Sequence, residues 1–421
     1  MMKQFADLYQ EIHDYISTLW VVDSHEHTAN YKSWPTMDYI QLTVNTYSVY
    51  DLRSAGLPAE TLKKITNPAL PVMERWLMLE PYWQACRNTG FVRMHERIAR
   101  DVYGVDGINR NTIEQLTRLL ASTDHRKSYY EGLERAKVLC CITDSDMDCN
   151  RDYCRPAFRM EEFVEKIRVA EVRQRMNTHI YTFIDWLNAC EETVRRYVEG
   201  GAVAFKSTIA TDRTLDIGYG SYAEAEASFL DAIREDNGYQ TVSKAYQDFM
   251  FRFVLSQVRK YGLPTQMHTG FAASNANLIR NGNPSLLCPL FCEYRDMNFV
   301  MMHMGYPYQR ELGAIGKMFP NVYADMSWAH IISPIGARQV LSDWLDEMPA
   351  TKILAFGADC GHENFVIGHL LMARDHISHV LAQKVVDGCF DLEHAKWVGK
   401  QILQMNGYRV FNLEKAGVVL K

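Results

Sequence analysis

Val21-Val22-Asp23-Ser24-His25-Glu26-His27 is a short apolar run that ends in a His-x-His pair. Side chains alternate across an extended strand, so His25 and His27 project to one side. Two imidazoles side by side at a strand end can hold a divalent metal. Two packed histidines could give the same pattern, so the rest of the chain has to decide.

Upstream, residues 4–19 place Phe5, Leu8, Tyr9, Ile12, Tyr15, Ile16 and Leu19 at helical spacing. Downstream, about 30–132 is rich in helical patterns, at 72–83, 92–102 and 112–122, and reads as an insertion after the first strand. Seven further strand candidates follow, at 138–144, 179–183, 202–207, 264–268, 298–303, 322–325 and 353–357. Helical stretches separate most of them. Alternating strands and helices mean a parallel sheet, and eight strands suggest a (β/α)8 TIM barrel, distorted by its insertion. The expected division is 1–29 with 133–421 as the barrel and 30–132 as a helical insertion packed on it.

With 421 residues, 47% of them hydrophobic, the chain can bury a large core. Its net charge of −6, with no long run of like charge, does not suggest a nucleic-acid or membrane surface. No stretch reaches the apolar length of a membrane span, and Met1–Asp7 lacks the apolar core of a signal peptide. The ten cysteines contain no C-x-x-C pair and read as scattered reduced thiols, which implies a cytoplasmic location. The expected partner is a small-molecule substrate. Barrels of this kind often form homo-oligomers, and the oligomeric state stays open.

A polar residue able to ligate or catalyse stands at almost every strand end: His27, Asp144, Lys206, His268, His303, Asp325 and Asp359. Active sites of (β/α)8 barrels lie at the carboxyl ends of the strands. His268 and His303 are about one βα unit apart, and His303 and Asp359 about two. Lys206, His268, His303 and Asp359 then fall on strands four, five, six and eight.

That order of ligands resembles the amidohydrolase superfamily. His303-Met304-Gly305-Tyr306-Pro307-Tyr308, Phe319 to Trp328 and Phe356-Gly357-Ala358-Asp359 look like its amidohydrolase-2 branch. Phe205-Lys206-Ser207 with Arg213 downstream is similar to the nodulin/FluG-like members, and Gln401 to Phe411 resembles the usual last helix. The insertion bears a loose likeness to the helical insert of uronate isomerases.

The resemblance implies a metal-dependent hydrolase that cleaves an amide or lactone bond with metal-activated water. His25, His27 and Asp359 would bind one ion, most readily Zn²⁺, with Mn²⁺ and Fe²⁺ also suited. Asp359 would also shuttle the proton, and His268 would be a further ligand. His303 would ligate a second ion or donate to the oxyanion. Lys206, if carboxylated, would bridge two ions, and otherwise its amine would bind a substrate carboxylate beside Arg213. Arg213, Tyr306 and His330 are candidate substrate contacts, and Arg and Lys near the site suggest an anionic substrate. A non-oxidative decarboxylase or a uronate-type isomerase on the same metal site is the alternative. Asp144 reads equally as a loop residue or a pocket group, and Asp325 as a helix cap or a residue beside the ligands.

Overall fold

The computed structural model describes residues 2–28, 37–144, 147–234, 242–273 and 277–421. The domain boundary expected at residues 29 and 30 lies outside them. Eight parallel strands run in chain order around one sheet: β1 Val21–Glu26, β2 Val138–Thr143, β3 Cys154–Phe158, β4 Ala204–Ser207, β5 Thr265–Met267, β6 Phe299–Met301, β7 Val322–Asp325 and β8 Ile353–Leu354. Backbone hydrogen bonds from Ser24 N to Phe356 O, Asp359 N to His25 O and His27 N to Cys360 O carry the sheet from β8 back to β1. The (β/α)8 barrel is therefore present.

Seven of the strand positions agree with the sequence pattern. The exception is 179–183, where the structure has no strand. There Thr182 caps the helix Phe183–Glu199, with its side chain accepting from Asp185 N and the Asp185 side chain accepting from Thr182 N. A reciprocal cap of this kind fixes a helix start and overrides the alternating Ile180 and Thr182. The third strand is instead Cys154-Arg155-Pro156-Ala157-Phe158, whose proline argues against a strand on composition alone.

Between β1 and β2 stand helices at Tyr39–Val44, Ser48–Ser54, Ala59–Ile65, Val72–Cys86, Gly90–Asp101, Ile113–Ala121 and His125–Arg135. Their buried Trp76, Leu79, Trp83, Val92 and Ile98 belong to the same apolar cluster as the outer face of the barrel. The insertion buries its hydrophobic stripe against the barrel helices, so the two share one core. Gly368, in the helix Glu363–Val386, marks this closeness, because a Cβ there would stand 2.5 Å from Ile98 Cγ1.

A second apolar cluster fills the barrel interior. Val22, Ile142, Ala157, Ala204, Val300 and Leu354 meet there, and Val410, Phe411 and Leu413 of the C-terminal segment close the amino-terminal end. With a period of two, the residue above Ala204 on the same face of β4 is Lys206, and the residue above Tyr323 on β7 is Asp325. Apolar layers below thus give way to polar side chains at the carboxyl end. Among the described residues, no helix is long and apolar enough to cross a membrane.

Candidate metal centre

The carboxyl end of the barrel holds a cavity of about 290 Å³ whose walls include His25, His27, Lys206, His268, His303 and Asp359. The six residues assigned to the metal site from sequence therefore come together. Three strand ends reach the cavity through sharp turns, with His303, Trp328 and Asp359 at φ 62°, 65° and 54°. Residues other than glycine are uncommon in this left-handed region and gather where a site over-determines the backbone. Here the backbone bond from Asp359 N to His25 O, at 2.9 Å, ties the β8 turn directly to the His-x-His strand.

Asp359 lies between the two imidazoles. Its Oδ1 is 3.4 Å from His25 Nε2 and 2.9 Å from His27 Nε2, and its Oδ2 is 3.7 Å from His303 Nδ1. Burial alone would raise its carboxyl, but His25, His27 and His303 hold it well below the usual carboxylate range. Burial, helped by Lys206, brings His25 down to about 4 and His268 to about 3, so both rings are neutral near pH 7 and have a lone pair to offer. Burial also opposes charge on His27, but Asp144 and Asp359 outweigh it and lift the ring to about 10.

His268 and His303 contact each other, with His303 Nε2 3.0 Å from His268 Nδ1. His268 Nε2 is 3.1 Å from the Phe271 carbonyl and is the donor there. His303 Nδ1 likewise lies 3.2 Å from the Ser327 carbonyl and donates there, so each neutral ring carries its hydrogen on the outer nitrogen and the two facing nitrogens are left as acceptors. Lys206 is fully buried, and burial lowers its amine to about 8. Among the described residues no carboxylate pairs with it, and its Nζ rests against Met302 Sδ.

The donor set suits a small divalent cation. Neutral imidazoles and carboxylates are the ligands of Zn²⁺ and its neighbours. Ligand atoms of His25, His27 and Asp144 all lie within 4.8 Å of one another, and Asp359 adds a second carboxylate on the other side of His27.

The structure does not bring the three candidate substrate contacts to this cavity. Arg213 is turned away and ion-paired with Asp248. His330 follows the Trp328 turn into the short helix Ala329–Ile332 and is packed behind β8. Its Nε2 lies 2.9 Å from Ala355 O and its Nδ1 3.3 Å from His376 Nδ1. Tyr306 meets the neighbouring loop through its carbonyl, which accepts from Phe271 N, and its ring packs on the outer apolar cluster. Asp325 is buried beneath the site, with Oδ1 accepting from Ser327 N at 2.8 Å.

Other residues enter that sequence reasoning gave no role. Tyr47, from the insertion, donates its hydroxyl to Asp359 Oδ1 at 3.1 Å. Burial, with Asp359 beside it, keeps this phenol protonated. Trp328 packs against Tyr47, with ring centroids 4.5 Å apart and the planes tilted by 48°, and also lines the cavity, as do Arg159 and Thr208. No local pattern marks Tyr47, because its contact spans 312 positions.

Gly357 sets how closely the strands approach. A Cβ there would stand 2.5 Å from Ser327 Cβ, 2.7 Å from Ser24 Oγ and 3.0 Å from His25 N. Gly357→Ala should force β8 away from β1 and β7, lowering stability by about 1–3 kcal/mol, the usual cost of overpacking. Chemical denaturation checks the first effect, and a loss of metal affinity in the folded fraction checks the displacement of His25.

The family model described as Amidohydrolase matches residues 234–373. Over those residues, about a third of the chain, the sequence is similar to the amidohydrolase superfamily. A relative, protein fluG of Emericella nidulans, is 30% identical over 181 residues, which is 41% of this chain. The chain spans about a fifth of that relative's length (20%). Among solved structures, a uronate isomerase from Thermotoga maritima superposes with a TM-score of 0.79 at 17% identity, covering 96% of this chain and 97% of that one. A glucuronate isomerase from Caulobacter crescentus gives 0.79 at 17% identity, covering 97% and 95%. At such identities the likeness is one of fold, and it includes the helical insertion.

Proposed function

We propose that this amidohydrolase-superfamily chain is a metal-dependent hydrolase that cleaves an amide or lactone bond in a small, polar, anionic substrate. The observation that carries the reading is the gathering of His25, His27, Lys206, His268, His303 and Asp359 around one cavity of about 290 Å³. His25, His27 and Asp359 would hold a divalent ion, most readily Zn²⁺. When bound, such an ion supplies the charge that polarises a carbonyl and acidifies water.

The chain's own groups do the rest. Asp359 is held ionised and can accept a proton on Oδ2 while Tyr47 occupies Oδ1. The same carboxyl can return that proton to the leaving group. His303 would ligate a second ion through Nε2 or, when protonated there, donate to a developing oxyanion. Lys206 has two uses. As a free amine it is the form that takes up CO₂, and the resulting carbamate could bridge two ions. As an ammonium it would bind a substrate carboxylate. Arg159 also lines the cavity wall, but its guanidinium is paired with Asp144 and Glu161, so Lys206 is the cation that supports an anionic substrate.

Isomerisation of a sugar acid is the second reading, favoured by the Tyr47–Asp359 contact. A phenol beside a carboxylate can move protons without adding water to the substrate. The discriminating experiment offers N-acyl amino acids, lactones and uronates to the metal-loaded protein in ¹⁸O-labelled water. Hydrolysis places one ¹⁸O in a newly formed carboxylate. Turnover of uronates to isomers of unchanged mass, with amides and lactones untouched, would sink the hydrolase reading. Release of CO₂ would do the same in favour of a decarboxylase.

A further inference from the structure

We infer that Asp144, clamped by Arg159, is a positioning residue that sets the ring of His27 so that Nε2 faces the ion. The inference rests on the metal-centre reading above. His27 touches a carboxylate at each nitrogen. Its Nε2 is 2.9 Å from Asp359 Oδ1 in the cavity, and its Nδ1 is 2.8 Å from Asp144 Oδ1. An imidazole that ligates through one nitrogen carries its hydrogen on the other, and a carboxylate accepting that hydrogen fixes both tautomer and orientation.

Asp144 is built for that task. Its side chain is fully buried, and Oδ1, which accepts no hydrogen bond from elsewhere, meets His27 Nδ1 in an ion-pair contact at 2.8 Å. Its Oδ2 accepts from Arg159 Nε at 2.8 Å and also from Nη2. Arg159 is anchored in turn, its Nη1 donating at 2.9 Å to Glu161 Oε1, which also accepts from Thr208 Oγ1 at 2.8 Å. The carboxylate therefore cannot turn away from the ring. Two donors of one rigid guanidinium converge on that oxygen, which suits Arg159 to this.

Geometry separates this role from direct ligation. Asp144 does not line the cavity that holds the metal residues. It lines a neighbouring one of about 350 Å³. His25 Nε2 is 4.0 Å from Asp144 Oδ2, the oxygen that Arg159 occupies, but 3.4 Å from Asp359 Oδ1. Asp359 is thus the carboxylate on the ion's side of His27, and Asp144 stands behind the ring.

The test loads wild type, Asp144→Asn and Arg159→Met with Zn²⁺. Affinity is measured by chelator competition and the donor set by X-ray absorption. Asp144→Asn should bind roughly 10- to 100-fold more weakly, the usual cost of losing a carboxylate behind a ligating histidine, with the same number of ions and the same donor atoms at saturation. Arg159→Met should weaken binding in the same direction, and the double variant should be no worse than Asp144→Asn, because the two act through one contact. Wild-type affinity in both variants would overturn the inference while leaving the metal centre standing. Loss of one oxygen donor in Asp144→Asn would overturn it by making Asp144 a ligand. A wild-type protein that binds no Zn²⁺ would overturn the metal reading and this inference together. A purely structural role would lower the melting temperature of the metal-free protein and leave affinity unchanged.

Discussion

Asp359→Asn should lower kcat/KM by at least about two orders of magnitude at saturating metal, the ordinary worth of a positioned proton acceptor. The side chain keeps its shape and one oxygen for a cation, but the amide cannot take up a proton. In the native site the carboxyl is buried and held ionised by three imidazoles, so its basic form is present throughout the neutral range. Tyr47 would still reach the Oδ1 position, so the packing around Trp328 should persist. Steady-state kinetics on the substrate found by the ¹⁸O screen, with excess ion present, measure the effect. Retention of more than about a tenth of wild-type kcat/KM would remove Asp359 from proton transfer.

The second large effect is expected from His25→Ala combined with His27→Ala. Both imidazoles stand against Asp359, and removing them takes away two nitrogen donors at once. Loss of two ligands from a small-ion site leaves too few for retention against water. The double variant should come off a desalting column with less than about a tenth of the wild-type metal. Heat stability gives an independent readout, since an ion that binds only the native state raises the melting temperature with concentration. Added Zn²⁺ should raise the wild-type melting temperature and leave that of the double variant in place. This comparison cancels the separate cost of baring Asp144 and Asp359, which lowers the variant's own starting point. An equal rise in both proteins would place the ion elsewhere.

Much of the barrel was legible because its logic is local. Val21 to His27 states a strand and its exit, and the period of two that puts Lys206 above Ala204 holds for any strand. The six candidate metal-site residues stood out because the fold sends strand ends to one place. Where local signals conflicted, the pattern failed. Pro156 and Arg155 disguised β3, and Ile180 with Thr182 imitated a strand where Thr182 is a cap.

The substrate contacts failed for another reason. Arg213 and His330 sit beside recognisable motifs, but their direction depends on partners distant in sequence, Asp248 for one and Ala355 with His376 for the other. Tyr47 and Arg159 carry no motif and reach the site because the insertion and the β3 exit fold over it. Asp144 was visible as a strand end, but its orientation became readable only once Arg159 and His27 were seen on either side of it.

The most direct test of the metal centre is elemental analysis of the protein purified without chelator. At least about one divalent ion per chain is expected, and about two would favour a carboxylated Lys206. No ion, even after incubation with Zn²⁺ or Mn²⁺, would contradict the metal centre and the chemistry built on it.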